Sequence, residues 1–183
     1  MPRERGPSIV LVGLMGAGKS SVGRRVASRL GLPFFDADTE IEAAAGCSIS
    51  DLFARYGEPA FRAGERRVMR RLLAGPRAVI ATGGGAFIDP ETRALIAEGG
   101  VSLWLRADLE VLTKRVSGRD HRPLLRGGDP RAILSELIEK RHPIYETADL
   151  VVESLDQPTD VTVNAVLQAL AQHSPIYPAI QEA

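Results

Sequence analysis

The stretch "GLMGAGKSS", Gly13 to Ser21, follows the apolar, β-branched run "SIVLV" (8–12) and opens a segment of helical periodicity. Two phosphate-binding patterns compete for it. A dinucleotide turn needs G-x-G-x-x-G, whereas the internal glycines here read G-x-x-G-x-G. A triphosphate loop needs G-x-x-x-x-G-K-[ST], and Gly13, Gly18, Lys19 and Ser20 match it at every defined position. Such a loop turns its backbone N–H groups inward around phosphate oxygens. Glycine permits those dihedrals and the close approach. The helix that follows points its positive end at the same phosphates. Lys19 is expected to bridge the β and γ groups, and the Ser20 hydroxyl to bind Mg²⁺. The stretch therefore predicts a strand, a nucleoside-triphosphate loop and a helix, the first unit of a parallel α/β sheet.

The rest of the chain keeps that alternation. Further strand candidates are "PFFD" (33–36), "AVIA" (78–81), "VSLWL" (101–105) and "DLVVE" (149–153). Helical patterns lie between them, which argues for parallel strands covered on both faces. Lys19 to Leu30 forms the first helix, closed by Gly31. Ser48 is expected to cap a short helix ended by Gly57, and a second follows with Phe61, Val68, Leu72 and Leu73 inward. Pro90 suits the first turn of another. Helices are also expected near 108–116, from Pro130 to about Glu146, and over 159–171. The Gly- and Arg-rich stretch 117–129 breaks the rhythm and is expected to form a mobile lid. The tail 173–183 is expected to be loose.

Composition sets limits. The 183 residues suit one domain, with a core at about 8–171. Lys plus Arg and Asp plus Glu are both 23, so no global charge draws the chain to nucleic acid or to a membrane. Cys47 is the only cysteine, which excludes an internal disulfide and fits a reducing compartment. No apolar run spans a bilayer, and the N-terminus lacks a signal-peptide pattern, so a cytoplasmic, soluble protein is expected. The three histidines show no metal-ligand spacing.

Many triphosphate loops use a later strand-terminal Asp to hold the metal. Here "AVIA" ends in "TGGG" (82–85), so another carboxylate is needed. "FFDADTEIE" offers Asp36 and Asp38 at the tip of the second strand. One could support Mg²⁺ through water and the other accept a substrate hydroxyl; alternatively, either could simply cap the next helix. Three consecutive glycines suggest backbone N–H groups presented to a ligand, with a plain turn as the alternative. Arg62 in "EPAFRAGE" and Arg141 in "EKRHPIYE" could each fork onto a carboxylate or serve in a surface ion pair.

Together, "GLMGAGKSSVGRRVA", "FFDADTEIE", "FRAGE", "VIATGGG", "RPLL" and "RHPIYETAD" resemble, in order and spacing, the motifs of the shikimate kinase family. The resemblance covers residues 8–171. It implies a P-loop kinase fold with a five-stranded parallel sheet flanked by helices, like the nucleoside monophosphate kinases, and usually a monomer. It also implies Mg·ATP-dependent phosphorylation of the 3-hydroxyl of shikimate. ATP would contact Gly13, Met15, Gly16, Ala17, Gly18, Lys19, Ser20 and Ser21, with Arg115 and Pro158 about the adenine and the lid residue Arg122 on the phosphates. Ser20 would ligate Mg²⁺, with Asp36 acting through water. Asp38, Arg62, Gly83, Gly84, Gly85 and Arg141 would hold shikimate, and Lys19, Asp38 and Arg122 would carry catalysis. In "LDQPT", Gln157 stands where family members carry an arginine before the proline. A gluconate or adenylate kinase shares the loop but has no need of both arginines beside an Asp pair. A non-catalytic ATP-binding regulator would not need Lys19, Ser20, Asp38 and Arg122 together.

Overall fold

Every residue of β1 (Ser8–Val12) is buried, which for an alternating strand requires cover on both faces of the sheet. A computed structural model of the chain describes residues 6–117, 125 and 127–177. Among these, β1 lies at the centre of a five-stranded sheet with β2 (Phe34–Asp36), β3 (Val79–Ala81), β4 (Gly100–Arg106) and β5 (Leu150–Glu153). The order is β2-β3-β1-β4-β5, and each pairing is parallel. Val10 aligns with Ile80 on one side and Ser102 on the other. The chain leaves β1 toward β2 and later crosses to β4, so the strand order reverses at β1. Ligands of open α/β sheets gather in the crevice at such a point, at the carboxyl ends of the strands.

The helices are α1 (Lys19–Leu30), α2 (Ala37–Ala45), α3 (Ile49–Ala74), α4 (Pro90–Gly99), α5 (Leu109–Val116), α6 (Pro130–Tyr145) and α7 (Thr159–His173). A 3₁₀ turn, Ala86–Ile88, follows the glycine triplet. On α1, Val22, Val26 and Ala27 are buried and Leu30 is half-buried, a stripe at helical spacing. Helix α3 is two helices end to end. Gly57, at φ 77° and ψ 175°, breaks it at the expected place, and Pro59 begins the second half.

One expectation changes. The second strand ends at Asp36, and Asp38 lies inside α2 rather than on a strand. The cause is local: Asp36 Oδ1 accepts the N–H groups of Asp38 and Thr39, which starts the helix at once. Of the tail 173–183, residues 173–177 are described, and His173 ends α7. Tyr177 is 2% exposed, and the Arg77 guanidinium stands 4.6 Å from its ring. Residues 178–183 lie outside the described residues, as do 118–124 and 126, most of the expected lid, with Arg122 among them. No helix of the described residues is long and apolar enough to cross a membrane.

Candidate active site

The cleft over the carboxyl ends of the strands has a volume of about 1230 Å³. That exceeds the roughly 300–1,000 Å³ usual for one small ligand, and leaves room for two. The phosphate loop forms one end, and Asp38, Arg62, Arg141 and the glycine triplet line the other.

At the loop end, Gly16 and Gly18 take positive φ (83° and 94°), the turn that brings N–H groups inward. Gly18 is the N-cap of α1 and has no side chain to cap it, and the first turn holds no acid. The donors at this helix start are therefore left for a ligand, next to the positive end of the helix. Lys19 is only 9% exposed, and its ammonium donates to the carbonyls of Gly13 (2.6 Å) and Leu14 (2.9 Å). These bonds hold it at the mouth of its own loop. Met15, Gly16, Gly18, Ser20 and Ser21 line the cleft, whereas Ala17 is buried and donates its N–H to Leu14 O.

Ser20 Oγ donates to Asp36 Oδ2 at 2.7 Å. Asp36 therefore does two jobs at once, capping α2 with one oxygen and facing the Ser20 hydroxyl with the other. A hydroxyl and a carboxylate beside a phosphate loop are hard oxygen donors suited to Mg²⁺, which takes one or two protein oxygens and fills its octahedron from phosphate and water. Among the described residues there is no group of three or more His, Cys, Asp or Glu that could hold a metal by itself. The donor set fits an ion that arrives with a nucleotide.

At the other end, burial raises the pKa of Asp38 above the ordinary aspartate range, and neighbouring Asp36 adds to the effect; Lys19 and Arg62 oppose it. Arg62 Nη1 donates to Glu65 Oε1 at 2.5 Å, and Nε stands 3.5 Å from Glu58. Glu65 is 1% exposed and has its own pKa raised by burial. It fixes the Arg62 fork from behind. Sequence reasoning missed Glu65, although its i,i+3 spacing from Arg62 in "FRAGE" is a readable pairing signal. It also missed Ser154. Arg115 donates to Gly16 O (3.0 Å), Ser154 Oγ (2.9 Å) and Leu155 O (2.6 Å), and Ser154 Oγ donates to Ala17 O (2.8 Å). Arg115 lines the cleft and ties the phosphate loop to the segment after β5. Pro158 begins α7 but is not a lining residue; its neighbours Gln157 and Thr159 are.

The glycine triplet has a steric reason that its sequence did not reveal. A Cβ on Gly83 would lie 2.7 Å from Asp38 Oδ1, and one on Gly84 3.4 Å from Arg141 Nη1. One on Gly85 would lie 2.2 Å from Arg62 Nη2. Gly83 and Gly85 make room for Asp38 and Arg62, whereas a Cβ on Gly84 would only touch Arg141. Gly85→Ala is expected to leave the fold intact, because the atoms it meets are the end of a side chain. It should dislodge Arg62 from Glu65 and weaken binding of an anionic ligand on the order of tenfold, the scale of one charged hydrogen bond. Thermal denaturation and ligand titration check the two halves; a tenfold loss of binding with a collapsed melting temperature would point to a folding defect instead.

Comparison with known proteins agrees with this geometry. A family model described as shikimate kinase matches residues 15–171. The chain is 64% identical over 165 residues to a shikimate kinase of Paramagnetospirillum magneticum, covering 90% of this chain and 85% of that one. It is 62% identical over 168 residues to a shikimate kinase of Caulobacter vibrioides, covering 92% and 84%. Its fold superposes with a TM-score of 0.87 and 35% identity on shikimate kinase from Acinetobacter baumannii in complex with shikimate, covering 93% of this chain and 96% of that one. With a family match over most of its length and relatives more than 60% identical, the chain belongs to the shikimate kinase family.

Proposed function

We propose that this member of the shikimate kinase family transfers the γ-phosphoryl group of Mg·ATP to the 3-hydroxyl of shikimate, giving shikimate 3-phosphate and ADP, with the residues of the cleft in the following roles. The observation that carries the reading is one cleft with an uncapped helix start and a lysine at one end, and at the other a buried carboxylate beside two arginines.

The N–H groups of Gly16 and of Gly18 to Ser21, with the Lys19 ammonium, hold the phosphates, and Gly13 and Ala17 shape the loop. Ser20 ligates Mg²⁺ and Asp36 supports it through water; the ion, when bound, neutralises charge on the phosphoryl oxygens. Arg62 and Arg141 clamp the shikimate carboxylate, and Gly83, Gly84 and Gly85 offer N–H groups to the same substrate. Asp38 accepts the hydrogen bond of the attacking hydroxyl and takes its proton. A carboxylate whose pKa is raised is a stronger base than an exposed one. Arg115, and the segment at Gln157 and Pro158, lie on the adenine side. Arg122, outside the described residues, keeps the phosphate contact that its "RPLL" motif implies. The protein acts as a cytoplasmic monomer, with no nucleic acid or membrane as partner.

ADP formation from Mg·ATP, measured with and without shikimate, tests the reading. Shikimate-dependent ADP release with one shikimate consumed per ADP is expected; release indifferent to shikimate overturns it. Arg141→Lys is expected to weaken shikimate binding by about 1–3 kcal/mol, because a planar fork becomes a point contact. ATP affinity should change little. Shikimate amide, which lacks the charged carboxylate, is the control: equal losses for acid and amide would remove Arg141 from the clamp.

A further inference from the structure

We propose that Tyr145 is a positioning residue for the acceptor side of the cleft: its hydroxyl turns the Gly84–Gly85 peptide so that the Gly85 N–H faces the substrate. The inference rests on the assignment of the glycine triplet to shikimate and adds the group that orients it.

The argument begins with the backbone polar groups of Gly83, Gly84 and Gly85. All three carbonyls accept hydrogen bonds from within the protein. Gly83 O takes the Ala86 N–H, Gly85 O takes the Ile88 N–H, and Gly84 O takes the Tyr145 hydroxyl. Among the described residues, no hydrogen-bond partner is recorded for the three N–H groups. These glycines are half-buried and line the cleft, so donors without a protein partner there are met by water or by a ligand. The two outer carbonyls are held by the local 3₁₀ turn. The middle one is held only by a side chain 61 residues away in sequence.

In a trans peptide the C=O and the next N–H point in opposite directions. Fixing Gly84 O on the buried Tyr145 hydroxyl therefore turns Gly85 N–H to the opposite side, away from the tyrosine. Tyr145 is well placed to hold that orientation. Its side chain is fully buried, with its ring centroid 5.7 Å from that of Trp104 and 6.3 Å from those of Phe87 and His142. Burial pushes its hydroxyl up to about 12, with Arg141 pulling the other way, so it remains a neutral donor across the working pH range. The Arg141 charge lies close enough to Tyr145 to pull its pKa down, and the same arginine stands against Gly84. The tyrosine therefore sits between the glycine peptide and the arginine of the carboxylate clamp.

Tyr145→Phe removes the hydroxyl and keeps the ring. Steady-state kinetics are expected to show the KM for shikimate raised about five- to twentyfold, the KM for ATP within twofold of wild type, and the melting temperature little changed. In glycine-selective ¹⁵N spectra, the Gly85 amide of the wild-type enzyme should shift on addition of shikimate, and in Tyr145→Phe that shift should shrink. Unchanged shikimate KM, or equal changes for shikimate and ATP, overturns the proposal. Should Tyr145→Phe fail to fold, the wild-type hydroxyl proton of Tyr145 is the second readout. Slow exchange and a shift on shikimate binding support the role; indifference to shikimate overturns it. A wild-type enzyme that does not phosphorylate shikimate would instead refute the functional reading itself, so the two failures are distinguishable.

Discussion

Lys19→Met is expected to lower the rate of phosphoryl transfer by on the order of 10³-fold or more, as for loss of a charge placed on a transferring phosphoryl group. The ammonium lies inside the phosphate loop, where Gly13 and Leu14 carbonyls hold it. Methionine keeps the length and the apolar stem but supplies no charge and no donor. The fold should survive at some cost. Two loop carbonyls lose a donor, worth about 1–3 kcal/mol if nothing replaces it. Single-turnover rates measured well below the melting temperature separate the two effects. A variant that keeps most of its single-turnover rate would remove Lys19 from the mechanism. ATP affinity should fall far less than the rate, because the loop's N–H groups and the start of α1 remain.

Asp38→Asn is expected to reduce kcat by about 10²–10⁴-fold, the usual scale for a positioned base, with little change in the KM for ATP. Asparagine keeps the shape and one acceptor but loses the charge and the basicity. The same substitution has a predictable effect on stability. In the folded protein burial and Asp36 raise the Asp38 pKa, so folding favours its protonated form. That stability is fully present below the ordinary aspartate pKa and is lost as pH rises through the raised value. Above that raised value wild-type Asp38 is ionised at a penalty that asparagine does not carry. Asp38→Asn should therefore melt higher than wild type near neutral pH, with the gap closing as pH falls below the ordinary aspartate range. Wild-type kcat/KM should fall on the acid side of the raised pKa. Melting temperatures and rates recorded from acid to neutral pH check both trends. A variant with normal kcat, or a stability gap that widens in acid, would reduce Asp38 to a structural residue of α2.

The sequence by itself determined what local chemistry decides. An apolar run followed by G-x-x-x-x-G-K-S specifies strand, loop and helix, since each depends on neighbours a few residues apart. The break at Gly57 and the parallel α/β layering were legible for the same reason, because helix and strand periods differ. Asp36 was legible only as a choice between cap and site, and the fold joined the two. Its capping bonds reach Asp38 and Thr39, while its bond to Ser20 spans 16 residues. What tertiary structure alone decided lies between distant elements. Of the three glycines read as ligand-facing N–H groups or a plain turn, Gly83 and Gly85 became spaces for Asp38 and Arg62, and Gly84 a neighbour of Arg141, only when the loop after β3 met side chains from α2, α3 and α6. Arg115 became a tie between the phosphate loop and Ser154, 39 residues on, and Tyr145 reached Gly84 across 61. Such contacts have no local signature. They arise because parallel strands bring the ends of separate βα units to one edge of the sheet, where packing, not spacing, selects which side chains meet.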